Sequence, residues 1–135
     1  MSKYGAIKTI VNDIKFASRM EAEFYKKLLL DLENGVIESI ELQPRYELQP
    51  PYKKNGKSIR KIEYIADFRV VYSDGREKIY DVKGFSRDST FKLKRKIFDF
   101  VYPDKELVLI THYRGNWITV EEKENILKNN KKKLS

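Results

Sequence analysis

Several positions carry charge where a purely structural chain would not place it. Asp67 stands inside Tyr64-Ile65-Ala66-Asp67-Phe68, an apolar run in which an Asp has poor strand propensity and a desolvation cost. Asp81 and Lys83, in Ile79-Tyr80-Asp81-Val82-Lys83, are two residues apart, so on a strand both side chains share one face. Glu21 falls in the first turn of an apolar helical stripe: at about 100° per residue, Phe24, Tyr25, Leu28 and Leu32 surround its direction. Lys94 falls near the centre of a second stripe formed by Phe91, Ile97, Phe98 and Val101. Carboxylates on adjacent elements, joined by a lysine, make a minimal divalent-metal site for phosphodiester cleavage. Carboxylates hold Mg2+, which keeps several of its waters. The metal polarises the phosphoryl oxygen and lowers the pKa of a bound water. Lys83 would orient that water or neutralise charge developing on the phosphate.

Each group also has a plainer reading. Asp67 could lie on the solvated face of a half-exposed strand. Asp81 and Lys83 could be a surface ion pair worth roughly 0–1 kcal/mol. Glu21 follows Ser18 by three residues, which is a capping-box spacing, and an acid there suits the helix dipole. Lys94 could extend its ammonium to water along an apolar surface.

The elements that must position these groups are legible in outline. Ser18 opens a helix that Asn34-Gly35 ends. Residues 1–16 show no clear periodicity and read as an arm or a short helical start. Val36 to Leu42 reads as a strand, which Arg45 to Gln49 can continue beyond Pro44; Pro44, Pro50 and Pro51 make this region an edge or a loop. Ile62 to Tyr72 reads as one long strand, Ser73-Asp74-Gly75 as a hairpin turn and Glu77 to Lys83 as the return strand that Gly84 breaks. Gly84 would let backbone approach a ligand closely. Ser89 to Val101 is a second helix, Glu106 to Thr111 a buried strand, Trp117 to Val120 an edge strand and Glu121 to Asn130 a polar helix. The fold class is therefore α/β, with an antiparallel meander and one strand returning parallel after the second helix. We expect a single domain over residues 1–127, with 1–16 as an arm, and a basic tail over 128–135.

Composition narrows the chemistry. The 135 residues carry 28 Lys and Arg against 20 Asp and Glu, a net charge of +8, which favours polyanionic partners, nucleic acid first. At 13% aromatic and 41% hydrophobic, the chain can form a core. Zero Cys excludes disulfides, thiolate metal sites and Cys nucleophiles, and a single His excludes a His-rich metal centre. Any metal must be held by oxygens, which points to Mg2+, Ca2+ or Mn2+. No apolar run approaches the roughly 18 residues of a membrane helix, and no signal-peptide pattern opens the chain, so the expected compartment is the cytoplasm and no membrane partner is expected. Lys53, Lys54, Lys57 and Arg60 form a basic segment around an Asn55-Gly56 turn; with Arg87, Lys92, Arg95 and Lys96 they are the candidate DNA contacts.

Asp67, then Asp81-Val82-Lys83 on a hairpin, behind an acidic N-terminal helix, resembles the PD-(D/E)XK nuclease superfamily, and within it the small phage- and prophage-encoded members. The matching stretches are Ser18 to Tyr25, Gln43-Pro44, Tyr64 to Phe68, Tyr80 to Gly84 and Phe91 to Lys96, spanning most of residues 16–103. The resemblance implies a restriction-endonuclease-like αβββαβ core, a divalent metal (Mg2+, with Mn2+ as substitute) and DNA cleavage. It implies Asp67 and Asp81 as metal ligands, Glu21 as the helix-borne acid completing the site, Lys83 as the catalytic lysine and Lys94 as an auxiliary catalytic cation. In place of the superfamily's Pro-Asp pair the chain has Ala66-Asp67. Related phage enzymes include DNA-junction resolvases; a junction substrate would imply a homodimer, since two symmetric cuts need two sites.

Two other readings compete. The chain could be a non-catalytic nucleic-acid-binding module on a nuclease-like fold, although idle carboxylates would repel phosphate. It could also be a partner-binding protein whose Lys128, Lys131, Lys132 and Lys133 only aid solubility. His112 reads as an ordinary strand-end residue and Trp117 as a core anchor.

Overall fold

The computed structural model describes residues 9–83 and 88–134. A hairpin comes first: β1 (Thr9–Val11) pairs with β2 (Ile14–Phe16). The turn residues Asn12 and Asp13 both take positive φ, 50° and 63°, the conformation of a two-residue hairpin turn that Asn and Asp tolerate. Residues 9–16 are therefore a hairpin, where 1–16 read as an arm or a helical start; residues 1–8 lie outside the described residues. Three-residue strands are too short to show a period, and only the Asn-Asp pair marks the turn.

Helix α1 (Arg19–Glu33) begins where the Ser18 side chain accepts the Glu21 N–H at 3.1 Å, and it ends at Asn34 with Gly35 at φ 78°. It buries Ala22, Phe24, Tyr25 and Leu28 against the central sheet. That sheet contains β3 (Ile37–Leu42), β8 (Phe68–Tyr72), β9 (Glu77–Val82), β10 (Leu107–Tyr113) and β11 (Asn116–Thr119), in spatial order β11-β10-β9-β8-β3. The pairs are antiparallel except β9 with β10, which is parallel across helix α2 (Ser89–Val101). The α/β expectation holds: this is a single domain with a mixed central sheet, and α1, β3, β8, β9, α2, β10 follow the αβββαβ order.

The stretch from Ile62 to Tyr72 is not one strand. It divides into β7 (Ile62–Ile65) and β8, and Ala66-Asp67 forms the joint. On one side of the joint β7 pairs with β4 (Arg45–Gln49); on the other β8 joins the central sheet. The same break occurs opposite, where Gln43 takes φ 48° before Pro44. Backbone bonds close the two breaks on each other: Gln43 N–H donates to Asp67 O at 3.0 Å and Ala66 N–H to Pro44 O at 3.1 Å. Between β4 and β7 the chain forms a further hairpin, β5 (Tyr52–Lys54) with β6 (Lys57–Ile59).

Two cores result. One lies between α1 and the sheet and contains Phe16, Phe24, Leu28, Phe68, Val70 and Tyr80. Trp117 packs on it edge-to-face with Phe24, at 5.0 Å between centroids, as a core anchor would. The second joins α2 to the β4–β7 pair through Tyr46, Tyr64, Ala66, Ile79, Phe98 and Leu107. Val101, placed on the α2 stripe by its spacing, is exposed; Tyr102 packs there instead. Helix α3 (Val120–Leu134) carries the C-terminal lysines within its last turns, where cations suit the helix dipole, so the expected tail is helical.

Candidate metal centre

Glu21 comes from the first turn of α1, Asp67 from the joint between β7 and β8, and Asp81 from the interior of β9. Three separate elements thus direct carboxyl groups to one place, and Lys83 follows just beyond β9. Asp81 is only 2% exposed and Glu21 8%, whereas Asp67 is half-buried. The burial of Asp81 removes its reading as a surface pair, and Asp67 stands at a joint between strands with Oδ2 taken by the Val82 N–H rather than on a strand face.

The two aspartates are knitted through backbone. Asp67 N–H donates to Asp81 Oδ1 at 3.0 Å, and Val82 N–H donates to Asp67 Oδ2 at 2.8 Å. Asp67 N–H is also 3.1 Å from Tyr80 O, which holds the joint in the β8–β9 ladder. The second Asp81 oxygen, Oδ2, accepts the Tyr64 hydroxyl. Glu21 sits in the Ser18 cap that its spacing allowed, with its carboxyl directed elsewhere. Its N–H is capped by Ser18, while its carboxyl is hydrogen-bonded to Asp67.

Burial dominates the electrostatics. It pushes the Glu21 carboxyl up to about 8, and the Asp67 charge, the Asp67 hydrogen bond and the Asp81 charge push the same way against Lys83. Burial also raises Asp67, opposed by the Val82 N–H, Lys83 and the Glu21 hydrogen bond. Burial raises Asp81, opposed by Lys83, the Asp67 N–H and Arg95. Glu21 and Asp67 are thus both pushed toward the protonated form, and a hydrogen bond joins them. The Lys83 ammonium lies over the Phe91 ring, 4.2 Å from its centroid, a placement that fixes the side chain by a cation–π contact.

Oxygen-only donors of this kind, three carboxylates facing one ammonium, have the chemistry of a hard divalent cation site. Glu21 and Asp67, with Lys15 and Gln43, also line a cavity of about 120 Å3. A liquid water occupies about 30 Å3, so this space has room for a few waters, but its lining does not include Asp81 or Lys83. Among the described residues, however, no three Asp, Glu or His side chains stand at the spacing of ligands around one ion. Both Asp81 oxygens and one Asp67 oxygen are engaged by N–H or O–H donors, and Glu21 spends its carboxyl on Asp67. A larger cleft of about 430 Å3, lined by Arg19, Met20, Glu23, His112 and Trp117, holds none of the three carboxylates.

Residues 1–116 match the profile of a family described as "Protein of unknown function (DUF1064)". The chain belongs to the DUF1064 family. No curated protein and no solved structure is similar enough to the chain to count as a match.

In this DUF1064 member not every expected residue joins the site. Lys94 is half-buried on α2; its neighbour Arg95, also half-buried, lowers Asp81 and approaches Glu121 at 3.5 Å. Lys92 and Lys96 are exposed on α2, and Lys53, Lys54, Lys57 and Arg60 are exposed on the β5–β6 hairpin. Arg87 and Gly84 lie outside the described residues. Tyr64 and Gln43 hold or line the site without having been singled out.

Proposed function

We propose that this protein is a metal-dependent endonuclease that hydrolyses phosphodiester bonds in DNA. The observation that carries the reading is the meeting of Glu21, Asp67 and Asp81, from three elements, beside Lys83. Its support is chemical. Burying several carboxylates together destabilises a fold, and a protein without use for them would replace them by apolar groups. The +8 net charge and the ordered motif set of the PD-(D/E)XK resemblance support the same reading.

Asp67, Asp81 and Glu21 would hold a Mg2+ or Mn2+, which supplies Lewis-acid polarisation of the phosphate and a bound water of lowered pKa. The chain's own residues do the remainder. Glu21 would have to give up its shared proton for the three carboxylates to hold that cation. Tyr64 and the Asp67 N–H keep Asp81 in one rotamer, so that the carboxylate needs no reorganisation during reaction. Lys83, steadied on Phe91, offers its ammonium to the phosphate charge that develops. Lys92, Lys96 and the β5–β6 lysines bind phosphates outside the reacting group.

The cytoplasm, a host's if the gene is phage-borne, suits a cysteine-free protein acting on DNA. Among the described residues no helix is long and apolar enough to cross a membrane. Branched or junction DNA would add the requirement for a homodimer. The test is cleavage of plasmid, branched and single-stranded DNA with Mg2+ or with chelator. Mg2+-dependent cutting that Asp81→Ala abolishes is expected. No cutting of any substrate, or equal cutting by Asp81→Ala, refutes the assignment.

A further inference from the structure

The β5–β6 hairpin has no structural occupation. Residues 50–62 are all exposed, and the two strands pair with each other alone. The ribbon is nonetheless well formed: Tyr52 faces Ile59, Lys53 faces Ser58 and Lys54 faces Lys57 across a turn in which Asn55 and Gly56 take φ 50° and 75°. Those angles are the two-residue turn that matches strand twist, so the ribbon is preformed. At about 3.3 Å per residue it extends on the order of 16 Å between Pro50 and Asn55.

Its charges oppose its own stability. Like charges directly across a pair of strands are unfavourable, yet Lys54 faces Lys57 at the tip. Between Lys53 and Lys61 the chain carries no acid. Lys61 pairs with Glu63 at the base, 3.4 Å away; among the described residues, Lys53, Lys54, Lys57 and Arg60 make no ion pair. Strand alternation puts Lys54 and Lys57 on the same face as Tyr52 and Ile59, which are 47% and 36% exposed. One face therefore offers two cations at its tip and an aromatic and aliphatic pair behind them.

We propose that this ribbon enters the major groove of B-form duplex DNA. The choice of DNA rests on the nuclease reading; the choice of duplex and groove rests on the ribbon. A two-stranded ribbon fits the major groove, about 12 Å wide, and not the minor groove at about 6 Å. Single strands are held in concave basic channels with several stacking aromatics, whereas this surface projects and has one aromatic residue. The deep, narrow major groove of A-form RNA excludes side chains. Tyr52 and Ile59 give apolar contact to base edges, and the lysines meet the flanking phosphates. The strand leaving the ribbon is β7, whose Tyr64 holds Asp81, so groove docking and the carboxylate site share one rigid element.

The test is equilibrium binding of the full chain, in chelator so that nothing is cut, to a duplex DNA, a single strand of the same sequence and an RNA duplex. Its variant is Lys53→Ala/Lys54→Ala/Lys57→Ala, with Tyr52→Ala as a second. The triple variant should bind duplex DNA on the order of 10²-fold more weakly at 0.1 M salt, with a salt slope shallower by about 1.8, the share of Lys54 and Lys57 on the docking face. Tyr52→Ala should weaken duplex DNA binding without changing that slope, and neither variant should change single-strand or RNA binding by more than about threefold. Wild-type affinity of the triple variant for duplex DNA, or equal losses on all probes, overturns the inference. Loss on duplex DNA in a protein that never cuts retains the ribbon and rejects the nuclease; cutting with unaltered binding does the reverse.

Discussion

Tyr64 donates its hydroxyl to Asp81 Oδ2, although Tyr64 belongs to the β4–β7 pair and Asp81 to the central sheet. Tyr64 is 2% exposed and packs against Phe91 and Phe98 of α2, so the hydroxyl cannot leave without disturbing the second core. Substitution by Phe keeps the ring and removes the donor. Tyr64→Phe leaves a buried carboxylate oxygen unsatisfied, which costs about 1–3 kcal/mol. We expect a lower thermal midpoint and, at saturating Mg2+, a lower cleavage rate with little change in DNA affinity. Calorimetry and single-turnover cleavage check the two parts separately; loss of DNA affinity with an intact rate would contradict the positioning role.

Lys83 and Asp81 are expected to fail together. Lys83→Ala and Asp81→Asn should each lower cleavage by about 10²-fold or more, the usual effect of removing a preorganised charge at a reacting centre. Lys94→Ala should stay within a few-fold of wild type, because among the described residues no hydrogen bond or ion pair joins Lys94 to the three carboxylates. A Lys94 variant as impaired as Lys83→Ala would show that α2 presents a different cation from the one inferred.

The protonated Glu21 makes stability depend on pH. Its ordinary value is 4.5, and it rises to about 8 in the fold. Below 4.5 both folded and unfolded chains hold the proton, and stability is at its full value. Between 4.5 and about 8 only the folded chain holds it, so raising the pH favours unfolding. Asp67 and Asp81 are raised also and add the same sign. The metal-free protein should lose stability from pH 5 to pH 8, and Glu21→Gln should flatten the loss. Mg2+ at 100 times its Kd should restore about 2.7 kcal/mol at pH 8. Denaturant melts across that range, with chelator and with Mg2+, check all three.

Ser18→Ala removes the acceptor for the Glu21 N–H and should cost about 1 kcal/mol. If Glu21 is held chiefly by Asp67, the variant retains its cleavage rate at temperatures where it is folded. Paired thermal melts and cleavage assays settle whether the cap is structural only.

Much of the fold was legible because its signals are local. Ser18 three residues before Glu21 and Asn34-Gly35 after the last helical turn both act through the backbone beside them. The break at Ala66-Asp67 was not legible, since nothing in an apolar run marks where a strand changes partners; the partners, β4 and β3, are set by long-range pairing. The opening hairpin has three-residue strands and so lacks a measurable period. Glu21, Asp67 and Asp81 could be proposed together because acids in apolar patterns are costly. The roles of Tyr64 and Arg95 could not, because each depends on which neighbour a side chain meets across the fold.

The most direct measurement is a crystal soaked in Mn2+, with anomalous scattering located at the manganese edge. The account predicts a peak between Asp67 and Asp81, with Glu21 turned from Asp67 toward it. Full soaking with no peak at these carboxylates, or a peak held by other residues, would contradict it.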